Sequence, residues 1–162
     1  MAYGDPLTSF NQLYGRDSAD LLARTIYGEA RGEISVNSRS AIAYVVINRK
    51  NSPYFPNTVQ DVVLQQNAFS CWRTSDPNYD DCMAPNVSSA VWQECLNIAL
   101  NTANYYNPIG SNRYYAVTSL FNNNSETRSD GKLYYYMSGS GWLVVTGKLA
   151  LGNHTFFNLQ GS

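Results

Sequence analysis

The chain has 162 residues and 44% hydrophobic content, enough for one domain with a sizeable core and too much for a disordered chain. Its formal net charge is −1 and its pI about 5.7, so no global basic field draws it to nucleic acid or to an anionic membrane. The 14% aromatic share includes 13 Tyr and 3 Trp. Such side chains offer a flat apolar face with a polar edge, which suits a sugar ring as well as a core.

In chain order, residues 1–16 are polar and turn-rich and read as an N-terminal extension, with residues 17–162 as the working domain. The start lacks the basic and apolar regions of a secretion signal. No stretch approaches the ~18 apolar residues of a membrane span. Asp17 or Ser18 is placed to cap a helix running to residue 30 or 31. Leu22, Ile26 and Glu29 share one face of it, and Glu33 joins them if the helix runs one turn longer. Arg24 and Arg31 fall opposite, on the side expected to meet solvent.

A second helix is predicted over residues 37–49, whose middle is apolar all round and marks a buried element. After Pro53 and Pro56, Thr58 opens a short helix through residue 65, and residues 67–87 read as loop. A third long helix is predicted from Ser88 to Tyr106, with Trp92, Cys95, Leu96, Ala99, Ala103 and Tyr106 as its core stripe and Glu94 solvated. Beyond it, segments 114–120, 133–137, 142–146 and 154–157 are strand candidates.

Cys71, Cys82 and Cys95 leave two options open: a Cys71–Cys82 disulfide closing a loop plus one free thiol, or three reduced thiols. There is no short Cys-x-x-Cys pair, and the single histidine, His154, lies far downstream. No metal site and no cofactor are therefore expected.

The strongest local signal is Tyr27-Gly28-Glu29-Ala30-Arg31-Gly32-Glu33. A glutamate on the inward face at a helix C-terminal end meets the negative end of the helix dipole, and partial burial acts in the same direction. Both favour a held proton, as a general acid in glycoside cleavage requires. The bland alternative is a carboxylate that merely bonds a nearby backbone group or Arg. Among the other side chains, Phe69 and Trp72 suit stacking on a sugar ring, and Gln65 and Ser70 suit hydrogen bonds to acetamido groups. Trp142 fits a lid or wall, while Asn153 and His154 are candidates to orient Glu29 or the glycan. Core roles fit Phe69 and Trp72 equally well, a lone histidine such as His154 is more often a satisfied structural residue, and Arg49 is expected to pair with an acid.

The stretch 27–33 and the run Ala41-Ile42-Ala43-Tyr44-Val45-Val46-Ile47-Asn48-Arg49 resemble the opening of the spore cortex-lytic enzyme family of cell-wall hydrolases. So do Phe55-Pro56-Asn57-Thr58-Val59, Asp61-Val62-Val63, Phe69-Ser70-Cys71-Trp72 and the closing Gly152-Asn153-His154-Thr155-Phe156-Phe157. Residues 107–150 match that pattern poorly, with only a loose echo at Ala116-Val117-Thr118-Ser119-Leu120-Phe121. The resemblance implies an α+β, mainly α, single domain of the lysozyme-like, lytic-transglycosylase type with a small β-rich C-terminal part. It also implies cleavage between N-acetylmuramic acid and N-acetylglucosamine, with Glu29 as the catalytic acid.

Two-carboxylate glycosidases need a second acid at a set separation across the sugar. Glu33 would line the same wall as Glu29, in a tuning or positioning role, and Asp61, Asp76, Asp80, Asp81, Glu94, Glu126 and Asp130 read as loop or exposed positions. A one-acid lytic transglycosylase avoids the need for a partner, and a two-carboxylate muramidase is the alternative. The expected partner is the peptidoglycan glycan strand, met by a monomer. Rival readings are a non-catalytic glycan-binding or virion module and a cysteine peptidase pairing Cys71 with His154. A zinc amidase is disfavoured by the single His. Without a secretion signal, a cell-wall role calls for a mature secreted form, another exit route such as holin release, or delivery by a phage.

Overall fold

A computed structural model of the chain describes residues 2–162. They form two compact units, one ending at Pro108 and one running Ile109–Ser162. No helix among the described residues is long and apolar enough to cross a membrane.

The first unit is helical and built around α1 (Ser18–Ala30). It also contains α2 (Val36–Lys50), α3 (Val59–Leu64), α4 (Tyr79–Met83) and α5 (Ala90–Leu100). Short 3-10 helices form at Phe10–Gly15, Ser70–Trp72 and Thr102–Asn104. The starts follow the capping logic of the sequence. Asp17 accepts from Asp20 N at 2.9 Å, Ser35 from Ser38 N at 3.2 Å, Thr58 from Asp61 N at 3.1 Å and Ser89 from Trp92 N at 3.1 Å. Each bond satisfies one amide that the first helical turn leaves without an intrahelical acceptor.

α2, α3, α4 and α5 all pack on α1. That crowding changes the reading of its polar side, because Arg24 is fully buried and does not face solvent. It survives there because each of its three guanidinium nitrogens donates to a partner. Nε bonds Asp20 at 2.7 Å, Nη1 bonds the carbonyls of Cys82 and Met83 at 3.0 and 2.8 Å, and Nη2 bonds the carbonyl of Asp5. Asp20, also fully buried, accepts in addition from Arg16 Nε at 2.9 Å and from Gly4 N at 2.7 Å. Residues 2–16 are thereby pinned onto α1, with Leu7 and Leu13 in the core.

Other elements depart from the sequence reading. The third long helix stops at Leu100 and buries Trp92, Cys95 and Ile98, while Tyr106 is 69% exposed. Glu94 is not simply solvated but binds Arg39 at 2.6 Å. Within 67–87, read as loop, the chain makes a 3-10 turn and α4. The guanidinium of Arg49 lies 5.0 and 5.2 Å from the ring centres of Phe55 and Phe69, an aromatic setting that the acid-pair expectation did not include.

The second unit is an antiparallel sheet in the order β1-β5-β4-β3-β2. Its strands are β1 (Tyr114–Val117), β2 (Ser125–Thr127), β3 (Leu133–Met137), β4 (Gly141–Leu151) and β5 (His154–Leu159). The segment after Val117 is helix α6 (Thr118–Asn123), not strand. It delivers Phe121 onto one sheet face, where Phe121 joins Ala116, Phe157 and Leu159, with Leu133, Tyr135, Met137, Leu143 and Val145 packed around them. Alternation then sends Tyr134, Tyr136, Trp142 and Val144 to the other face.

Candidate active site

Every residue of α1 from Asp20 to Ala30 is buried except Glu29, which is half-buried. Beyond its exposed first turn, Glu29 is therefore the one position where this central helix reaches a solvent-accessible surface. It opens into a pocket of about 270 Å³ lined by Gly28, Glu29, Arg31, Gly32 and Asn78. Ser70, at the start of the 3-10 turn, donates from Oγ to Glu29 Oε2 at 3.1 Å.

The pocket wall is braced by Arg31. Its Nη2 donates to Asn78 Oδ1 and Asp81 Oδ2, both at 2.8 Å, and its guanidinium stacks 5.2 Å from the Tyr27 ring centre. Helical spacing places Arg31 on the solvent side, but folding brings α4 against it. Asn78 carries no sequence signal for this role, and Asp81 read only as an exposed acid.

Helix α1 ends at Ala30, so Glu33 does not continue its stripe one turn on. Glu33 sits instead in the turn before α2, 8% exposed. Arg39 from α2 holds that turn through the carbonyls of Arg31 and Glu33.

The segment 65–72 divides by burial. Gln65 is exposed at the C-terminal end of α3, and Ser70 reaches the acid. Phe69 is 2% exposed, and Trp72 is 7% exposed with its indole N–H donated to Thr25 Oγ1 at 3.1 Å. Neither ring presents a face to solvent, so the expected sugar-stacking role does not fit them; both pack the core behind Ser70.

Gly28 explains how the cysteines come so close to the acid. A methyl group added there would lie 2.7 Å from Cys71 Cβ and closer still to the Cys82 sulfur. Gly28→Ala is thus expected to destabilise the protein by about 1–3 kcal/mol through overpacking, measured as a fall in Tm. The three thiols are unbridged and buried, in accord with the reduced option. Burial pushes the Cys71 thiol well above its ordinary value, reinforced by its hydrogen bond with Cys82 and by the charge of Glu29. A group so disposed is a poor thiolate, which removes the physical basis of a cysteine peptidase built on Cys71. Burial likewise pushes Cys95 up to about 12. Among the described residues, no three His, Cys, Asp or Glu side chains gather as a metal-binding group.

The remaining sequence candidates lie in the second unit. Trp142 on β4 is 41% exposed and meets Tyr136 edge-on at 5.5 Å. Asn153 is exposed in the β4–β5 turn, where its carbonyl accepts from Thr118 N at 2.9 Å. His154 begins β5, 8% exposed, with its ring edge-on to Tyr115 at 5.4 Å.

The helical unit and the small antiparallel sheet unit give a mainly α chain with a lysozyme-like fold. The fold is similar to that of the catalytic domain of the germination-specific lytic transglycosylase SleB from Bacillus anthracis. The TM-score is 0.54 at 22% identity, over 87% of this chain and 93% of that one. The catalytic domain of the Bacillus cereus SleB protein gives the same TM-score and identity over 94% and 95%.

The chain belongs to the cell wall hydrolase family, which matches residues 34–157. That match begins just after Glu33, so the stretch 27–33 stands before it. Spore cortex-lytic enzymes are among its relatives. The one from Oceanobacillus iheyensis is 29% identical over 154 residues, 94% of this chain and 46% of that protein. The one from Halalkalibacterium halodurans is 30% identical over 146 residues, 90% of this chain and 36% of that protein. This chain therefore spans less than half the length of either.

Proposed function

We propose that this chain cleaves the glycan strand of bacterial peptidoglycan between N-acetylmuramic acid and N-acetylglucosamine, as a lytic transglycosylase with Glu29 as its single general acid. The observation that carries the reading is the exposure of Glu29 alone within the buried stretch Asp20–Ala30 of the central helix, opening on a pocket and bonded by Ser70. The names of its relatives, spore cortex-lytic enzymes and a germination-specific lytic transglycosylase, support it.

In this mechanism, protonated Glu29 gives its proton to the glycosidic oxygen as the bond to the muramic acid anomeric carbon breaks. The primary hydroxyl of the same muramic acid then adds to that carbon, and its proton returns to the Glu29 carboxylate. No water is consumed, and no second carboxylate is needed to activate one. Glu33, tied into the turn before α2, acts by holding the end of α1. Gln65, exposed near the Ser70 turn, remains the candidate for acetamido binding, and Asn153 and His154 for orienting the glycan.

The test is mass spectrometry of digested, purified peptidoglycan. Anhydro-muramyl ends are expected; ordinary reducing ends alone would replace this reading with a hydrolase. Ser70 has its own prediction. Ser70→Ala removes one hydrogen bond from the acid, so kcat should fall about tenfold with KM little changed, and Ser70→Thr should restore most of it.

A further inference from the structure

The second unit carries an aromatic surface that the acid chemistry does not use. On the sheet face opposite Phe121, Tyr136 and Trp142 sit across from each other on β3 and β4, 49% and 41% exposed. Trp72 and Trp92 are buried, so Trp142 is the exposed tryptophan. Arg128 spans the patch, 4.2 Å from the ring centre of Tyr134 and 5.2 Å from that of Trp142.

The polar rim is already ordered. Arg128 Nε donates to Glu126 at 3.1 Å, and the Tyr134 hydroxyl donates to Asp130 at 2.6 Å. Asp130 also accepts from Lys132 N at 2.9 Å. That pairing holds the Asp130 carboxyl below its ordinary value, with the Tyr134 hydroxyl bond as the main cause. We propose that Tyr134, Tyr136, Trp142 and Arg128 form a glycan-binding platform for uncharged N-acetylhexosamine rings, a second contact on the polymer that the proposed function names, on which this proposal rests.

Three arguments select that occupant. A pyranose has an apolar C–H face and a hydroxyl rim, which match an aromatic plane edged by fixed donors and acceptors. The rim charges balance, Arg128 and Lys132 against Glu126 and Asp130, so nothing favours a polyanion or an anionic membrane. The patch is also too small for a stable dimer. Aromatic side chains bury ~150–250 Å² each, so two half-exposed rings offer on the order of 200 Å², against ~800 Å² per partner in a standard interface. Because the rim side chains are held before binding, little ordering cost falls on the complex.

The experiment is calorimetric titration of the full chain with the β-1,4-linked N-acetylglucosamine tetramer, in a Glu29→Gln background so that no sugar is consumed. Trp142→Ala is expected to weaken binding at least tenfold and Tyr136→Ala several-fold, while Trp142→Phe stays within about threefold. Circular dichroism checks that each variant is folded, and sedimentation checks its oligomeric state. Unchanged affinity in folded Trp142→Ala, absence of binding by the parent, or a parent dimer that Trp142→Ala dissociates would each overturn the platform. Its failure is separable from failure of the lysin reading. A wild type that binds through Trp142 yet releases no muropeptides keeps the platform and loses the enzyme, and cleavage with Trp142-independent binding does the reverse.

Discussion

Glu29→Gln should reduce release of muropeptides by about 10²–10⁴-fold, the range that general acid catalysis contributes. Glutamine keeps the shape of the side chain and an oxygen able to accept the Ser70 hydrogen bond, but it has no proton to give. The protein should therefore fold as the wild type does. Binding to insoluble peptidoglycan should persist, because the glycan contacts are intact, and a zymogram should show the band without clearing. Equal clearing by wild type and variant would remove Glu29 from the chemistry. The helix of which it is part, buried at every other position from Asp20 to Ala30, offers no substitute acid, so the loss should not be partial.

The second large effect concerns stability. Arg24→Ala strips donors from the carbonyls of Asp5, Cys82 and Met83 and one of the two arginines from buried Asp20. Breaking a buried, fully bonded charge network typically costs about 3–5 kcal/mol. At roughly 2–4 °C per kcal/mol for a chain of this size, Tm should fall by roughly 6–20 °C, read by circular dichroism. A fall of a degree or two would mean that the network is weakly coupled to folding.

The same network sets an acid limb. Burial pushes the Asp20 carboxyl up, but hydrogen bonds from Arg16, Gly4 and Arg24 more than offset it and hold the group below its ordinary 3.8. A depressed folded value contributes stability that is fully present above the unfolded value. That contribution is lost as pH falls below about 3.8 and through the folded value. Asp20→Asn should accordingly flatten the decline in Tm at acid pH while lowering Tm near neutrality.

Local chemistry made much of the first unit legible. Asp17 and Thr58 cap the helices they were expected to cap, α2 falls within a residue of its expected ends, and the Leu22–Ile26 face is core. Four of the five strands were visible as aromatic or β-branched runs, though not α6, whose residues Thr118 to Leu120 look extended by composition. Short helices such as α4 and α6 have too few turns for periodicity to register, and packing of Cys82, Met83 and Phe121 holds them.

Periodicity also misjudged the polar side of α1. It identifies which face is apolar, but it cannot tell that four helices will enclose the other face as well. Arg24 is inside because Asp20 and three distant carbonyls meet it there, and those partners are up to 59 residues away. The sequence by itself determined the helix, its cap, and a glutamate near its end in a distinctive setting. Only the tertiary structure decided that Glu29 is the exposed exception, that Ser70 bonds it while the Phe69 and Trp72 rings are buried, and that Trp142 shares an aromatic face with Tyr136. Spacing along a chain sets direction within one element; exposure depends on which other elements arrive to cover it.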